Sequence, residues 1–263
     1  VTYIGHPNTT GLATIDCRIT DVWHDPPGCG DALHTERLAR LSRCCWCCPL
    51  MGDEPALADA PPSATGRPFT FGCMNRLPKV TPPMIQLWAR ILAAVPGSRV
   101  RVLADAGADS AVVARLVGHG IDPCAVEIVH RGSRAQYLAH FAGIDVHLDT
   151  SPYNGMTTTC DGLWLGVPTV TLAGDTHVQR IGLSLLSAVG LTGLVATTPD
   201  EYVRLAVELA RDAPRLRELR RTLRSRTQAS ALMDARGLAA AIEGVYRDLW
   251  RAWCASCCNG GVG

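Results

Sequence analysis

The stretch IDVHLDTSPYNGMTTTCDGLWLGVPTVTLAG, residues 144–174, decides the fold. Its two ends, residues 144–150 and 168–174, are short runs rich in β-branched and apolar residues, which is typical of buried strands. Residues 160–166 between them have a helical pattern. A strand, a helix and a second strand in this order predict a βαβ unit with two parallel strands.

The same alternation extends from this unit in both directions, between residues 67 and 196. Strands are predicted over 67–74, 98–104, 125–130, 144–150, 168–174 and 192–196. Helices are predicted over 81–97, 110–120, 134–143, 160–166 and 178–190. In the first helix Thr81 is a candidate N-cap, Pro82 suits the first helical position and Gly97 follows the end. The pattern predicts a parallel sheet covered by helices on both faces, a Rossmann-like α/β domain.

The rest of the chain differs from this domain. Two helices split near Pro214 are predicted over 199–227, and a last long helix over 231–254 precedes a flexible tail. Residues 52–68, rich in proline, alanine and acidic side chains, indicate a linker. We therefore divide the chain into 1–66, a Rossmann-like part 67–232, and a C-terminal helix and tail 233–263. Because Val1 stands within a strand-like run, we expect a piece of a longer protein.

Composition excludes several function classes. The 263 residues carry 25 basic and 24 acidic side chains, a formal net charge of +1, so charge gives no reason to expect a nucleic-acid partner. No apolar run reaches 18 residues, and the N-terminus has no secretion-signal pattern, so we expect no membrane span. The twelve cysteines are many. Half lie in apolar segments of a large chain, which favours free thiols in a reducing cytosol.

Residues 151–161, SPYNGMTTTCD, join a strand to a helix in the βαβ unit. Thr157, Thr158 and Thr159 would stand at or just before the helix start, where unpaired N–H groups and partial positive charge favour phosphate. Gly155 would let the backbone approach a ligand closely, and Asp161, placed in the first turn, could accept hydrogen bonds from ribose. The alternative is a capped helix after an ordinary turn.

Lys79 is the second candidate. It follows the first predicted strand of the Rossmann-like part, at the sheet edge where ligands bind in open α/β folds. It is the only lysine of the chain. A lysine there could neutralise a diphosphate, and a solvated surface lysine is the alternative. A third loop, GHPNTTG at residues 5–11, has a similar glycine-rich character.

These motifs together carry a family resemblance. IGHPNTTG, DCRITD, FGCMNRLPKVTP and HLDTSPYNGMTTTCDGLWLGVPTVTLAGDTHVQRIG occur in this order. They resemble the catalytic region of the O-linked N-acetylglucosamine transferase and SPINDLY family, and its bacterial members most. The similarity is strongest over 71–82 and 146–182. It implies a GT-B fold, in which two Rossmann-like halves face a cleft, usually after tetratricopeptide repeats. This chain would hold the end of the first half and the complete second half, with the last helix returning to the first half.

The resemblance also implies roles for individual residues. Lys79 matches the lysine that contacts the UDP diphosphate and stabilises it as it leaves. Thr157 and Thr158 match the pair that binds the phosphates, and Asp161 matches the acid near the ribose. The remaining candidates for substrate binding are the loop residues Ile4, Gly5 and Pro7, the nucleoside-side residues Gly132 and Arg134, and the turn residues Asn154 and Gly155.

Three candidates depart from the family pattern. Arg76 stands where the animal enzyme has glutamine, and Tyr137 and Met156 stand where it has histidines that touch the nucleotide. Methionine cannot donate a hydrogen bond, so the identity of the sugar is open. Arg180 resembles a bacterial cleft residue, and the neighbouring His177 has either that role or a structural one. No general base is assigned.

The reaction implied by the resemblance is transfer of N-acetylglucosamine, or another hexose, from a UDP-sugar to serine or threonine of a protein. It proceeds with inversion and without a metal or other cofactor, and no Asp-x-Asp motif appears among the candidates. Two alternatives stay open. The chain could bind UDP without catalysis, or the Cys-x-x-Cys pairs within CCWCC (residues 44–48) and at residues 254–257 could build a zinc site in an interaction module.

Overall fold

The computed structural model describes residues 1–5, 7–48, 55 and 60–259, without the side chains of 258 and 259. Its strands are β1 (Cys17–Asp21), β2 (Arg37–Leu41), β3 (Thr70–Cys73), β4 (Arg99–Ala104), β5 (Val126–His130), β6 (Val146–Leu148), β7 (Thr169–Leu172) and β8 (Val195–Ala196). Its helices are α1 (Pro82–Ala94), α2 (Asp109–Val117), α3 (Arg134–Ala139), α4 (Thr157–Trp164), α5 (Ile181–Ala188), α6 (Pro199–Arg211), α7 (Ala213–Gln228) and α8 (Ala235–Asn259). The predicted alternation of strands and helices between residues 67 and 196 is therefore observed.

Six of the strands form one parallel sheet in the order β5-β4-β3-β6-β7-β8. The chain runs outward from β3 to β5, then crosses back and continues from β6 to β8 on the other side of β3. The strand order thus reverses between β3 and β6. In open α/β sheets, ligands bind outside the carboxyl ends of the strands at such a reversal.

The core of this sheet is apolar on both faces, as a parallel sheet requires. Phe71, Val100 and Val146 of the central strands are completely buried, and so is Trp88 of the covering helix α1. Gly72 of β3 must be a glycine, because a Cβ atom there would lie 2.3 Å from Cδ1 of Ile144. Close packing therefore fixes the two strands that border the reversal.

Two local predictions differ from the structure. Helix α4 begins at Thr157 rather than at residue 160, because packing of the buried Thr159 and Cys160 outweighs the low helix propensity of threonine. Thr81 does occupy the N-cap position of α1, but its hydroxyl accepts no hydrogen bond from the N–H groups of the first helical turn. It donates to the carbonyl oxygen of Ser151, 3.1 Å away. That contact ties the start of α1 to the turn after β6.

The first part of the chain forms a parallel pair, β1 and β2, whose register places Cys17 opposite Arg37. Helix α8 lies beside β2, where Val245 and Leu249 line a shared groove with Arg37–Arg40. Residues 52–54 and 56–59 of the predicted linker, 52–68, lie outside the described residues, and its described part contains a short 3-10 turn at Pro62–Thr65. Among the described helices, none has the length and apolar character needed to cross a membrane.

Candidate functional site

A cavity of about 350 Å³ opens at the reversal of strand order, at the carboxyl ends of β3 and β5 and the start of α4. Its lining combines a lysine, arginines and hydroxyl groups with one acid. The lining residues are Met74, Asn75, Arg76, Lys79, Arg131, Gly132, Arg134, Tyr137, Thr157, Thr158 and Asp161. Eight of the fifteen residues proposed from the sequence therefore meet in one cavity, and Met74, Asn75 and Arg131 join them.

The start of α4 supplies hydrogen-bond donors to this cavity. Thr157 is the first helical residue and is exposed, while Thr158 is largely buried. The first N–H groups of a helix have no partner within the helix and carry partial positive charge. The helix start and the two hydroxyls can therefore receive an anion such as phosphate.

Lys79 brings a positive charge to the same cavity. It ends a short 3-10 turn after β3, and its Nζ donates to the backbone oxygen of Asn154 at 2.9 Å. Nζ also lies 3.9 Å from the centre of the Tyr153 ring. Burial lowers the pKa of Lys79, and the carboxylate of Asp149 opposes that effect. The lysine is thus held by its neighbours and presents a partly desolvated charge.

Asp161 and Arg134 form an ion pair at the rim. Nη1 of Arg134 lies 2.8 Å from Oδ2 of Asp161, and Nη2 contacts the other carboxylate oxygen. The placement of Asp161 in the first helical turn was wrong, because α4 begins at Thr157 and Asp161 falls in the second turn. Tyr137 lies against Asp161 and Thr158, and burial raises the pKa of its phenol. A ribose at this rim would meet a preformed pair.

Asp149 holds the cavity-lining residue Asn75 and the turn after β6, and it was not identified from the sequence. It is completely buried at the end of β6. Its Oδ1 accepts from the backbone N–H groups of Gly155 and Thr150, at 2.7 and 2.9 Å, and from Nδ2 of Asn75 at 3.1 Å. Its Oδ2 accepts from the hydroxyl of Thr171 at 2.8 Å. Burial raises the pKa of Asp149 to about 6, although these hydrogen bonds oppose the rise.

The turn residues Asn154, Gly155 and Met156 support the cavity from behind and do not line it. The side chain of Asn154 is buried, donating to the carbonyl of Thr150 at 2.7 Å and accepting from the N–H of Gly182 at 3.2 Å. A Cβ atom on Gly155 would lie 2.4 Å from Oδ1 of Asn75, so this position requires glycine. Met156 packs partly against the apolar core. These residues shape the turn.

Ile4, Gly5, Pro7 and Arg180 also lie outside the cavity lining. Ile4 is exposed. Arg180 donates from Nε to the carbonyl of Trp23 at 2.7 Å and from Nη1 to that of Gly174 at 3.1 Å. It therefore joins the first part of the chain to the six-stranded sheet.

His177 has a structural environment. It is buried, its Nδ1 lies 2.8 Å from Oδ2 of Asp25, and its ring stacks on that of His24 at 4.4 Å. Burial lowers the pKa of His177 to about 4. The imidazole is therefore neutral near pH 7 and holds the two parts of the chain together.

The cysteines do not assemble the zinc site considered above, as far as the described residues show. Among the described residues, one group of side chains is close enough together to hold a metal ion: Asp21, His24 and Cys45. Nε2 of His24 accepts from the indole N–H of Trp46 at 3.0 Å, so the proton of the neutral ring is on Nδ1, facing Asp21. Nδ1, which lies 3.9 Å from Sγ of Cys45, is already engaged by the carboxylate of Asp21 at 2.9 Å. A disulfide joins Cys48 to Cys160 of α4, a pairing not predicted from the sequence.

Comparisons with known proteins place this geometry in a family context. A family model described as glycosyl transferase family 41 matches residues 66–242. The chain is 40% identical over 261 residues to the "Probable UDP-N-acetylglucosamine--peptide N-acetylglucosaminyltransferase SPINDLY" of Oryza sativa subsp. japonica. That match covers 97% of this chain and 28% of the rice protein. The chain thus spans less than a third of this relative.

Two examples from the solved structures that match are each similar over most of this chain. A mutant O-GlcNAc transferase from Thermobaculum terrenum has a TM-score of 0.89 and 39% identity, over 97% of this chain and 49% of its own. WaaG, a glycosyltransferase involved in lipopolysaccharide biosynthesis, has a TM-score of 0.57 at 10% identity, over 86% of this chain and 62% of its own, and shows the fold alone. The predicted α/β fold of the GT-B class is confirmed.

Proposed function

This chain belongs to glycosyl transferase family 41, the family that its sequence motifs resembled, and from that premise we propose that its cavity binds the diphosphate of a UDP-sugar. The full polypeptide would transfer N-acetylglucosamine, or another hexose, to serine or threonine of a protein, with inversion and without a metal. The name of the rice relative, a probable UDP-N-acetylglucosamine–peptide transferase, supports this substrate class.

One observation carries the proposal: Lys79 and the start of α4 line the same cavity at the reversal of strand order. A diphosphate needs several cationic or N–H donors within a few ångströms, and these two elements offer both kinds. Negative charge grows on the diphosphate as the sugar leaves. A preformed donor set would therefore stabilise the transition state more than the bound donor substrate.

The remaining lining residues suit the nucleoside. Gly132, at the end of β5, leaves room beside Gln136, whose Oε1 would lie 2.3 Å from a Cβ atom there. Arg134 and Asp161 offer a guanidinium and a carboxylate to ribose hydroxyls at the rim. The proposal gives Tyr137 a packing role, because its ring lies edge-on to Phe141 at 5.6 Å between the cavity and the core.

A second candidate function is donor binding without transfer. It is favoured because this chain matches 49% of the length of the similar bacterial transferase structure. A donor panel separates the two. UDP, UDP-N-acetylglucosamine, UDP-glucose and a GDP-sugar are tested for saturable binding, and then for sugar release to a serine- and threonine-containing peptide.

Binding of UDP and its sugars with peptide labelling supports the transferase, whereas the same binding without labelling supports the second candidate. Preference for the GDP-sugar over every UDP-sugar would overturn the uridine assignment and leave the diphosphate position standing. No binding by any nucleotide would contradict both candidates.

Replacing Thr157 by valine should weaken UDP binding by about 10-fold, because one hydrogen bond to a charged phosphate is lost while shape is kept. Thr157 is exposed in the cavity, so folding should be unaffected. Titration calorimetry measures the effect, with Thr222→Val on α7 as the matched control. Equal affinities of the Thr157→Val variant and the unsubstituted chain would remove this hydroxyl from the site.

A further inference from the structure

Tyr153 touches Lys79 from outside the cavity. Nζ of Lys79 lies 3.9 Å from the centre of the Tyr153 ring, within the range of a cation–π contact. Tyr153 is not among the lining residues of the cavity, and the residue is 39% exposed. The Tyr153 ring therefore contacts the lysine without lining the cavity.

The turn that carries Tyr153 is held at three points. The hydroxyl of Thr150 donates to the carbonyl of Tyr153 at 2.7 Å, and that of Thr81 donates to Ser151 at 3.1 Å. The N–H of Asn154 donates to the carbonyl of Val178 at 3.2 Å. These contacts reach the residue that follows Asp149 after β6, the start of α1 and the segment after β7, so the backbone that carries the ring is held by the fold.

The ammonium of Lys79 is held by uncharged neighbours. Within the described part of the chain, no carboxylate oxygen lies within 4.0 Å of Nζ; the nearest partners are the Asn154 carbonyl and the Tyr153 ring. The other charged or titratable groups that act on it are Asp149, Cys73 and Arg76. An ammonium has three donors. One goes to Asn154 and the ring faces another, which leaves a donor for an anion.

We propose that Tyr153 is a positioning residue, whose ring holds the Lys79 ammonium charged and aimed at the diphosphate while leaving one of its protons to the ligand. This inference rests on the proposed function for the identity of the anion. The contact between ring and ammonium is independent of it. Tyrosine is suited to this task because its face attracts the cation without neutralising it, as a carboxylate would.

Because Lys79 is the only lysine, protein labelled with ¹³Cε-lysine gives a single side-chain signal that reports the pKa of this residue directly. A ring contact favours the charged ammonium. In the Tyr153→Leu variant the pKa of Lys79 should therefore fall by about 0.5 to 1 pH unit. The Tyr153→Phe variant keeps the ring and should match the unsubstituted protein. Tyr246→Leu, which alters an exposed tyrosine on α8, is the control.

UDP affinity is measured on the same four proteins. It should fall by about 3- to 10-fold in the Tyr153→Leu variant alone. The inference is overturned if the pKa of Lys79 is equal in all four proteins, or if Tyr153→Leu binds UDP as tightly as Tyr153→Phe. Failure of every protein, including the unsubstituted one, to bind UDP overturns the proposed function instead, and the pKa comparison still decides whether the ring holds the lysine.

Discussion

The Lys79→Ala variant is expected to transfer sugar about 100- to 1,000-fold more slowly than the unsubstituted protein at saturating donor. Lys79 presents a half-buried ammonium in the cavity, and burial already lowers its pKa. A charge in such a place interacts more strongly with a developing negative charge than it would in water. The loss should appear mainly in kcat, because the diphosphate gains charge as the bond to the sugar breaks.

Two controls separate this role from a general effect of charge. Lys79→Arg keeps the cation but changes its shape, and should retain part of the rate. Arg217→Ala removes an exposed cation of α7 and should change nothing. Initial rates and the Kd for UDP are measured for each variant. A Lys79→Ala variant with unaltered kcat and Kd would show that the diphosphate lies elsewhere.

The Asp149→Ala variant is expected to lose about 4 kcal/mol of unfolding free energy, and with it the shape of the cavity. Four donors would lose their buried acceptor: the N–H groups of Thr150 and Gly155, Nδ2 of Asn75 and the hydroxyl of Thr171. Urea unfolding measures the loss. UDP affinity should fall too, because Gly155 and Asn75 border the start of α4 and the cavity.

The Asp149→Asn variant removes the charge and keeps hydrogen bonds. The amide oxygen of the new side chain can still accept from the backbone, and its NH₂ group can donate to the Thr171 hydroxyl. Burial raises the pKa of Asp149 from its usual 3.8 to about 6 in the folded chain. A raised pKa means that its contribution to stability is fully present below about pH 4 and is lost as pH rises through 6.

From pH 3 to pH 7, the Asp149→Asn variant should therefore gain about 3 kcal/mol relative to the unsubstituted protein. The stability difference between the two proteins, measured by urea unfolding at several pH values, tests this. A difference that does not change over that range would contradict a raised pKa. An Asp149→Ala variant as stable as the unsubstituted protein would contradict the role of the carboxylate as acceptor.

The fold could be predicted because its signals are local. The strand and helix patterns of residues 67–196 repeat at the right spacing, and Pro82 and Gly97 mark the limits of the first helix well. Boundaries were less certain where packing decides them. The start of α4 at Thr157 depends on burial of the residues that follow, which sequence propensity does not contain.

The candidate site was predictable where residues point into the cavity and less so where they support it. Lys79, Thr157 and Thr158 stand directly after strands or at a helix start, and those positions can be read from the pattern. Asp149 ends a strand in the same way, but its four donors come from three separate segments. Arg180, taken for a cleft residue, spans two parts of the chain, a contact that only the tertiary structure reveals.

Binding of a uridine nucleotide's diphosphate in the cavity beside Lys79 and α4 is measured by titrating this chain and its Lys79→Ala variant with UDP in a calorimeter. We expect saturable binding with one UDP per chain, and at least 10-fold weaker binding by the variant. No heat of binding at millimolar UDP, or equal affinity of the two proteins, would contradict it.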